Sequence, residues 1–547
     1  MRLRLLVAGP LAVLASLFLA ASAMASIQLT VTTTADENNV ANLQCSLREA
    51  IGASNTSTTV GTADCPTSGS PSGGNHIGFA AALGANPVVN LDIANPNLSV
   101  LNNDVTITGP ATVNGATNSG FRVITSTGLN LTLTSLTISN GSENVEGLGG
   151  GIRQNGGQLV LNNSTVSGNT TALTSTSSVL ASGGGIYSTG KVTLNNSAVT
   201  NNHASATLTG GTGSSLVLGG GVEANSADLT MNNSVVSGNQ AIASGDGTGV
   251  EADGGGVRTN GNVLIEHSTI SSNLVSATST GMSSPQVQGG GMLFHGASST
   301  VDVELSTIAN NLMKAPPSTN SASQRGGGIE TFSVPTADYV SDTIAGNGLD
   351  PASQTAGILG LNFQSAGAGT RSFSNTIIAN PVGSVGTNCS GSEPYATGGD
   401  PNLEFPVTGT SPSDCFTPAT NILVVDPQLG ALGNNGGATP TMVPAPTSPV
   451  FDQGTASAQN DLTEDQRSLT RPVVFTGLSH SFDGSDIGAV EVQLACAGQA
   501  TPSTSCAGPP TPAPTPPSTP KKKKCKKKAK KGASSAKKKK CKKKGKK

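Results

Sequence analysis

Six glycine triplets recur through the middle of this chain: Gly149–Gly151, Gly183–Gly185, Gly219–Gly221, Gly254–Gly256, Gly289–Gly291 and Gly326–Gly328. Their first residues lie 34, 36, 35, 35 and 37 positions apart. After each comes a short apolar run ending in a small-x-Val/Ile-x-x-Asn unit, such as Ser164 to Asn169 or Ser234 to Asn239. A seventh copy, Asn375 to Asn380, lacks the glycines. A fixed period of this length signals a solenoid, because one coil cannot bury its apolar face alone and neighbours must stack.

Residue types say which solenoid. Leu159, Leu161 and Thr165 alternate with Val160 and Ser164, and Val301, Val303 and Leu305 with Asp302 and Glu304. Period two with β-branched residues means strand. The intervening Gly, Ser, Thr and Asn carry no helical apolar stripe. The reading is all-β: a right-handed, single-stranded parallel β-helix with one coil per repeat. Aromatics are 3% of the chain and Trp is absent, which suits a narrow tube lined by Val, Ile, Leu and Ala. Glycines at a stacked corner allow positive φ and close backbone approach. Asn169, Asn202, Asn239, Asn273, Asn311 and Asn347 are predicted to form one column at another corner, tolerating the left-handed conformation and passing an amide hydrogen bond from coil to coil. A lean coil needs fewer residues, so each repeat carries an insertion (170–182, 203–218, 240–253, 274–288, 312–325). These are expected to emerge as Ser/Thr-rich loops from one flank, where a solenoid tends to bind.

The chain ends speak of compartment. Arg2 and Arg4, the apolar run Leu5–Ala20 and the small residues ending Ala23-Met24-Ala25 read as a secretory signal over 1–25,. Cleavage is expected after Ala25, with Ala21-Ser22-Ala23 as the second choice. The apolar run is short for a bilayer span. Eight cysteines then fit an oxidising compartment,. They fall into neighbours: Cys45 with Cys65, Cys389 with Cys415, Cys496 with Cys506, and Cys525 with Cys541. Ser46 and Glu49 form a capping box for a helix over 46–55, whose Leu47, Ala50 and Ile51 can plug the first coil,.

Residues 507–520 read as an extended proline-rich spacer,. Eighteen lysines fill the last 27 positions. The chain has 30 Lys plus Arg, so 30 − 18 leaves 12 against 32 Asp plus Glu; residues 1–520 carry −20. An acidic body tethered to a disordered polycation implies anionic partners, an envelope polymer or lipid. The tail has no aromatic for base stacking, so specific nucleic-acid binding is not expected,.

Catalysis would need carboxylates at a defined separation, or several around calcium with a basic residue. The candidate ligand or calcium patch is Glu223, Asp246, Glu251, Asp253 and Arg258, with Glu266 and His267 nearby. The second position after each triplet reads Arg153, Tyr187, Glu223, Arg258, Leu293 and Glu330, which equally suits cross-coil ion pairs. No nucleophile motif, dedicated metal motif or cofactor signature stands out. No catalytic residue, metal or cofactor is assigned.

Three stretches resemble known families. Thr30–Ala53, with its Cys45-Ser-Leu-Arg-Glu-Ala50 core, resembles the CSLREA domain of bacterial surface β-helix proteins. Asp426-Pro-Gln-Leu, Leu432 to Pro440, Ser448 to Asp452, Asp465-Gln-Arg467, Arg471-Pro472 and Asp486 to Glu491 resemble the choice-of-anchor Q domain. The repeats resemble those of polymorphic outer-membrane proteins within the pectin-lyase-like fold. The resemblance implies export to the bacterial envelope and a non-catalytic binding or adhesion scaffold, with a glycan or cell-surface ligand on the loop flank. The alternative is a polysaccharide-active β-helix enzyme. The expected organisation is signal 1–25, N-terminal cap 26–100, repeats 101–390, C-terminal cap 391–495, linker 496–520 and tail 521–547.

Overall fold

The computed structural model describes residues 27–493 apart from 39–40, 57–63, 66–73, 96, 117–118, 282, 317–320, 354–357, 384–385, 392–395, 398–399, 408–412, 417–421, 457–461 and 475–480. The signal segment, linker, tail and Cys496, Cys506, Cys525 and Cys541 lie outside the described residues.

One repeat is one coil. From Gly221 the chain forms Val222–Ala224, then Leu229–Asn232 and Val235–Ser237, turns at Asn239, and continues as Gln240–Gly245 and Gly249–Asp253 to the next triplet. Each strand pairs in parallel with its counterpart one coil on, as in Val222↔Val257, Leu229↔Val263, Val235↔Thr269, Gln240↔Leu274 and Glu251↔Gln286. The described strands make four parallel stacks of 22, 7, 6 and 10. The 22- and ten-stranded sheets enclose a tube filled by residues such as Val222, Leu229, Met231 and Val236, every second side chain along each strand.

The stretches expected as loops are strands. Residues 240–245 and 249–253, with their equivalents, build the seven- and six-stranded sheets, which face each other across a second dry core. That core holds Ala204, Ala206, Val217, Ala241, Ala243, Val250, Ala252, Val275 and Val287. A fin of two close-packed sheets therefore runs along the tube. Alanine at every second position was the missed signal: small side chains let the sheets approach closely, while their Ser and Thr neighbours face out.

The chain leaves the tube at the ladder asparagine and returns at the triplet, so both line the neck of the fin. Asn169 Nδ2 donates to Asn202 Oδ1 at 2.9 Å, and the relay continues through Asn239, Asn273, Asn311 and Asn347 at 2.9–3.0 Å. Each amide also donates to a backbone carbonyl, Val199 in the case of Asn239; Asn169 accepts from the Gly141 N–H and each later one from the preceding ladder asparagine's N–H. The triplet's middle glycine has no room for a side chain: a Cβ on Gly255 would lie 2.3 Å from the Gly290 carbonyl. One on Gly256 would lie 2.8 Å from the Asn273 amide. The left-handed backbone falls one residue before the ladder, at Gly168, Asn201, Gly238, Ser272, Asn310 and Gly346, rather than on the ladder asparagines. Nor does the seventh repeat extend the column through Asn380. Asn347 donates to Asn362, and Asn362 to Asn388. Asn362 occupies the coil position of Gly328, so the amide row crosses the neck where the triplet is lost.

The small residue opening each unit forms a second column. The N–H groups of Ser164, Ser197, Ser234 and Ser268 each donate to the next serine's Oγ at 3.1 Å, and that of Ser306 donates to Asp342.

Stacking starts before residue 101: Ile27–Val31 pairs with Asn75–Phe79, which pairs with Val105 onward. The helix Leu47–Asn55 carries the capping box and buries Leu47, Ala50 and Ile51 against this end. Cys45–Cys65 and Cys389–Cys415 are disulfide-bonded near the two ends of the stack.

The C-terminal region is only partly an end cap. Asn402–Phe405 and Ile422–Leu423 extend the stack. The described parts of 426–493 instead double back as a strap along the outer face of the long sheet. Thr269 Oγ1 donates to the Pro440 carbonyl, Thr439 Oγ1 to the His267 carbonyl and Thr307 Oγ1 to Gln466 Oε1, while Ala489 N donates to Thr343 Oγ1. Val450, Phe451, Ile487 and Val492 pack on Ile377, Ala379 and Leu403.

Candidate functional site

Three arrangements combine chemistry with position: the strap's polar network, the corner where the fin meets the tube, and the outer face of the long sheet.

The strap network uses the polar residues singled out in the sequence. Arg467 donates from Nε and Nη2 to Asp465 Oδ2 at 2.9 and 2.7 Å, and the Glu491 N–H donates to the same oxygen. Arg471 donates to the Gly488 and Asp486 carbonyls and lies 3.7 Å from Glu491. Asp486 accepts from the N–H groups of Asp452 and Val492, and Glu491 from those of Val473 and Asp486. All these side chains are buried. Burial, opposed by Arg471 and by the N–H groups of Asp486 and Val473, leaves Glu491 titrating at about 7, with the Asp465 charge adding to the rise; burial and Glu491 push Asp486 up as well,. The network ties the described segments of the strap to one another.

At the corner, each triplet folds the chain from the fin's six-stranded sheet onto the tube's ten-stranded sheet. The residue before the triplet and the second residue after it therefore face one another. The apolar neighbours of these positions fill the two cores, which leaves the charged ones between the sheets. Glu223 pairs with Arg258 on the next coil at 2.6 Å, and Arg258 also donates to Asn260. Asp253, Glu251 and Arg325 join from the fin, and Glu330 from the tube. Gln288 Nε2 donates to Glu251. Glu223 and Glu330 are fully buried and Asp253 nearly so. Glu223 Oε2, Asp253 Oδ1 and both Glu330 carboxyl oxygens have no hydrogen-bond partner. Burial is the leading cause that raises all four acids: Glu223 to about 7 against the pull of Arg258, Glu330 to about 8 against Arg325, Asp253 well above its usual range with Glu251 adding to it, and Glu251 upward too,.

Four of the five patch residues read from sequence thus come together: Glu223, Glu251, Asp253 and Arg258. Asp246 does not. It lies outside the corner, accepting the Gly210 N–H. Glu330 stood in the column of second positions after each triplet but outside the patch, and Arg325 was missed, although the residue before each triplet exposes it. Among the described residues no three His, Cys, Asp or Glu side chains are grouped so as to hold a metal ion.

On the long sheet's outer face, Asp302 stands in register beside Asp338, and Glu266 beside Glu304. Asp302 and Asp338 are half-buried. Asp302 is raised by burial and by its neighbours Asp338 and Glu266; Asp338 is raised by burial. Like charges in direct register are mutually destabilising.

The fin's seven-stranded sheet presents different chemistry. Thr174, Thr207, Ser244 and Thr278 occupy one outward row, with Thr207 Oγ1 3.1 Å from Ser244 Oγ. Strand spacing sets such a row at about 4.8 Å per coil.

These features define a parallel β-solenoid with a strand-built fin. No family model, curated protein or solved structure matches the chain.

Proposed function

We propose that this is an exported bacterial surface protein whose solenoid is a binding scaffold, held to the envelope by its lysine-rich arm. The observation that carries the reading is the fin. One outward row of its seven-stranded sheet, Thr174, Thr207, Ser244 and Thr278, repeats uncharged hydroxyls in register over four coils, a chemistry suited to hydrogen-bonding an extended glycan or cell-surface polymer,. The corner acids Glu223, Asp253 and Glu330, all raised by burial, are closed off from solvent, where a polysaccharide cannot reach them. The secretory pattern, the two disulfides and the resemblance to CSLREA and choice-of-anchor sequences support export. Among the described residues, no helix is long and apolar enough to cross a membrane.

Retention follows from charge. A body of −20 is repelled by an anionic envelope, so attachment depends on residues 521–547. Each lysine near an anionic membrane contributes on the order of 1 kcal/mol, screened beyond about 8–10 Å at physiological salt. Deleting 521–547 releases the folded solenoid into the medium, and strong salt releases the intact protein. Retention of the truncated protein, or resistance to salt, overturns this attachment.

The in-register carboxylates Asp302 and Asp338 favour one second reading, a polysaccharide-active enzyme. Its test is sugar release from acidic and neutral polysaccharides by the native protein and by D302N and D338N. Activity lost in both variants would replace the scaffold reading.

A further inference from the structure

We propose that the carboxyl cluster where the fin folds back onto the tube is a pH-operated latch, closed while its buried acids are protonated and loosened when they ionise. The geometry requires protons there. From the ten-stranded sheet the corner receives Glu223, Arg258, Glu330 and, within the field of Arg258, His295. From the six-stranded sheet it receives Glu251, Asp253, Arg325 and the amide of Gln288. Fully ionised, four carboxylates face two guanidinium groups, a net charge of −2 at the junction of two sheets, with Glu223, Asp253 and Glu330 buried and Glu251, Arg258 and Arg325 half-buried. Arg258 donates from Nη1 to both Glu223 and Asn260, and its buried Nε reaches none of the unpartnered carboxyl oxygens. Neither Glu330 oxygen has a donor, nor does one oxygen each of Glu223 and Asp253. An ionised carboxylate without donors in a dry interface is strongly disfavoured, whereas the neutral acid is tolerated.

The sign follows from linkage. Glu330 titrates near 8 and Glu223 near 7 in the folded protein, against 4.5 as ordinary carboxyls. The folded state therefore binds more protons than the opened one across that window. Stability is full below about pH 4.5 and falls as pH rises toward 8. The latch lies beside the neck, so the first motion released is separation of the fin's six-stranded sheet from the tube, while the ladder and the tube core stay closed.

Hydrogen exchange on the full chain between pH 5 and 9, expressed as protection factors corrected for intrinsic rate, tests this. Protection in 249–253, 286–288 and 323–325 is expected to fall about tenfold per pH unit for each proton released, while 229–237 stays protected. E330Q, which removes one titrating proton, flattens that slope, and D253N does so independently. Strap segments 450–454 and 485–492 are followed in parallel, because Glu491 titrates in the same range. A pH-independent fin, a slope unchanged in both variants, or equal loss of protection in fin and tube overturns the latch.

Discussion

At the scale of single residues, the neck of the fin is set by one amide per coil. Asn239 donates to Val199 and Asn273 and accepts from the N–H and side chain of Asn202, all in a buried setting. Removing it strands donors and acceptors on two neighbouring coils. N239A is expected to cost about 2–4 kcal/mol, because orphaned buried groups lose their full hydration without replacement. Urea unfolding checks this, and a loss below about 0.5 kcal/mol would show that the ladder is decorative. These positions were legible in the sequence because stacking in register demands the same residue at the same place in each coil. The left-handed residue beside them was misplaced by one, since Gly, Asn and Ser share that position and no single residue type marks it.

At the scale of elements, the strap shows why a motif can be recognised without its purpose being visible. Asp465, Arg467, Arg471, Asp486 and Glu491 are charged residues of the quoted stretch, and they bond to one another and to the strap backbone. Gly488 has φ of +104° and sits so near Ile377 that a Cβ would lie 2.6 Å from its Cδ1, which ties this part of the strap to the sheet. R471M leaves Glu491 buried beside an uncharged neighbour and strips the Gly488 carbonyl of the Arg471 donor, while the Asp486 carbonyl keeps only Asn375 Nδ2. The expected loss is about 3–5 kcal/mol, the cost of breaking a buried pair from one side. It is read as protease cleavage within 462–473 while the repeats remain intact. Simultaneous collapse of the repeats would make the strap a folding core instead.

At the scale of the whole molecule, stability passes from each coil to the next, so damage stays local. The Cys389–Cys415 disulfide closes a 26-residue separation near the last coils, and Cys45–Cys65 a 20-residue one near the first. Replacing Cys389 and Cys415 with serine is expected to cost about 2–4 kcal/mol. The expected readout is lost exchange protection at 377–379 and 402–405 with no change at 229–237. Loss spread evenly along the stack would contradict nearest-neighbour coupling. The sequence by itself determined the coil: a constant period, β-branched alternation and a repeated asparagine are local patterns, and repetition makes each visible many times over. It also marked the capping helix and the cysteine pairs, whose signals span at most a few tens of residues. Only the tertiary structure decided that the apparent insertions close into a fin, that Glu330 and Arg325 complete the corner, and that the C-terminal region lies along the sheet. Each depends on which surfaces meet across a neck, a coil or nearly two hundred residues. Chain order carries no period for contacts of that kind, and burial settles them only once the coils are stacked.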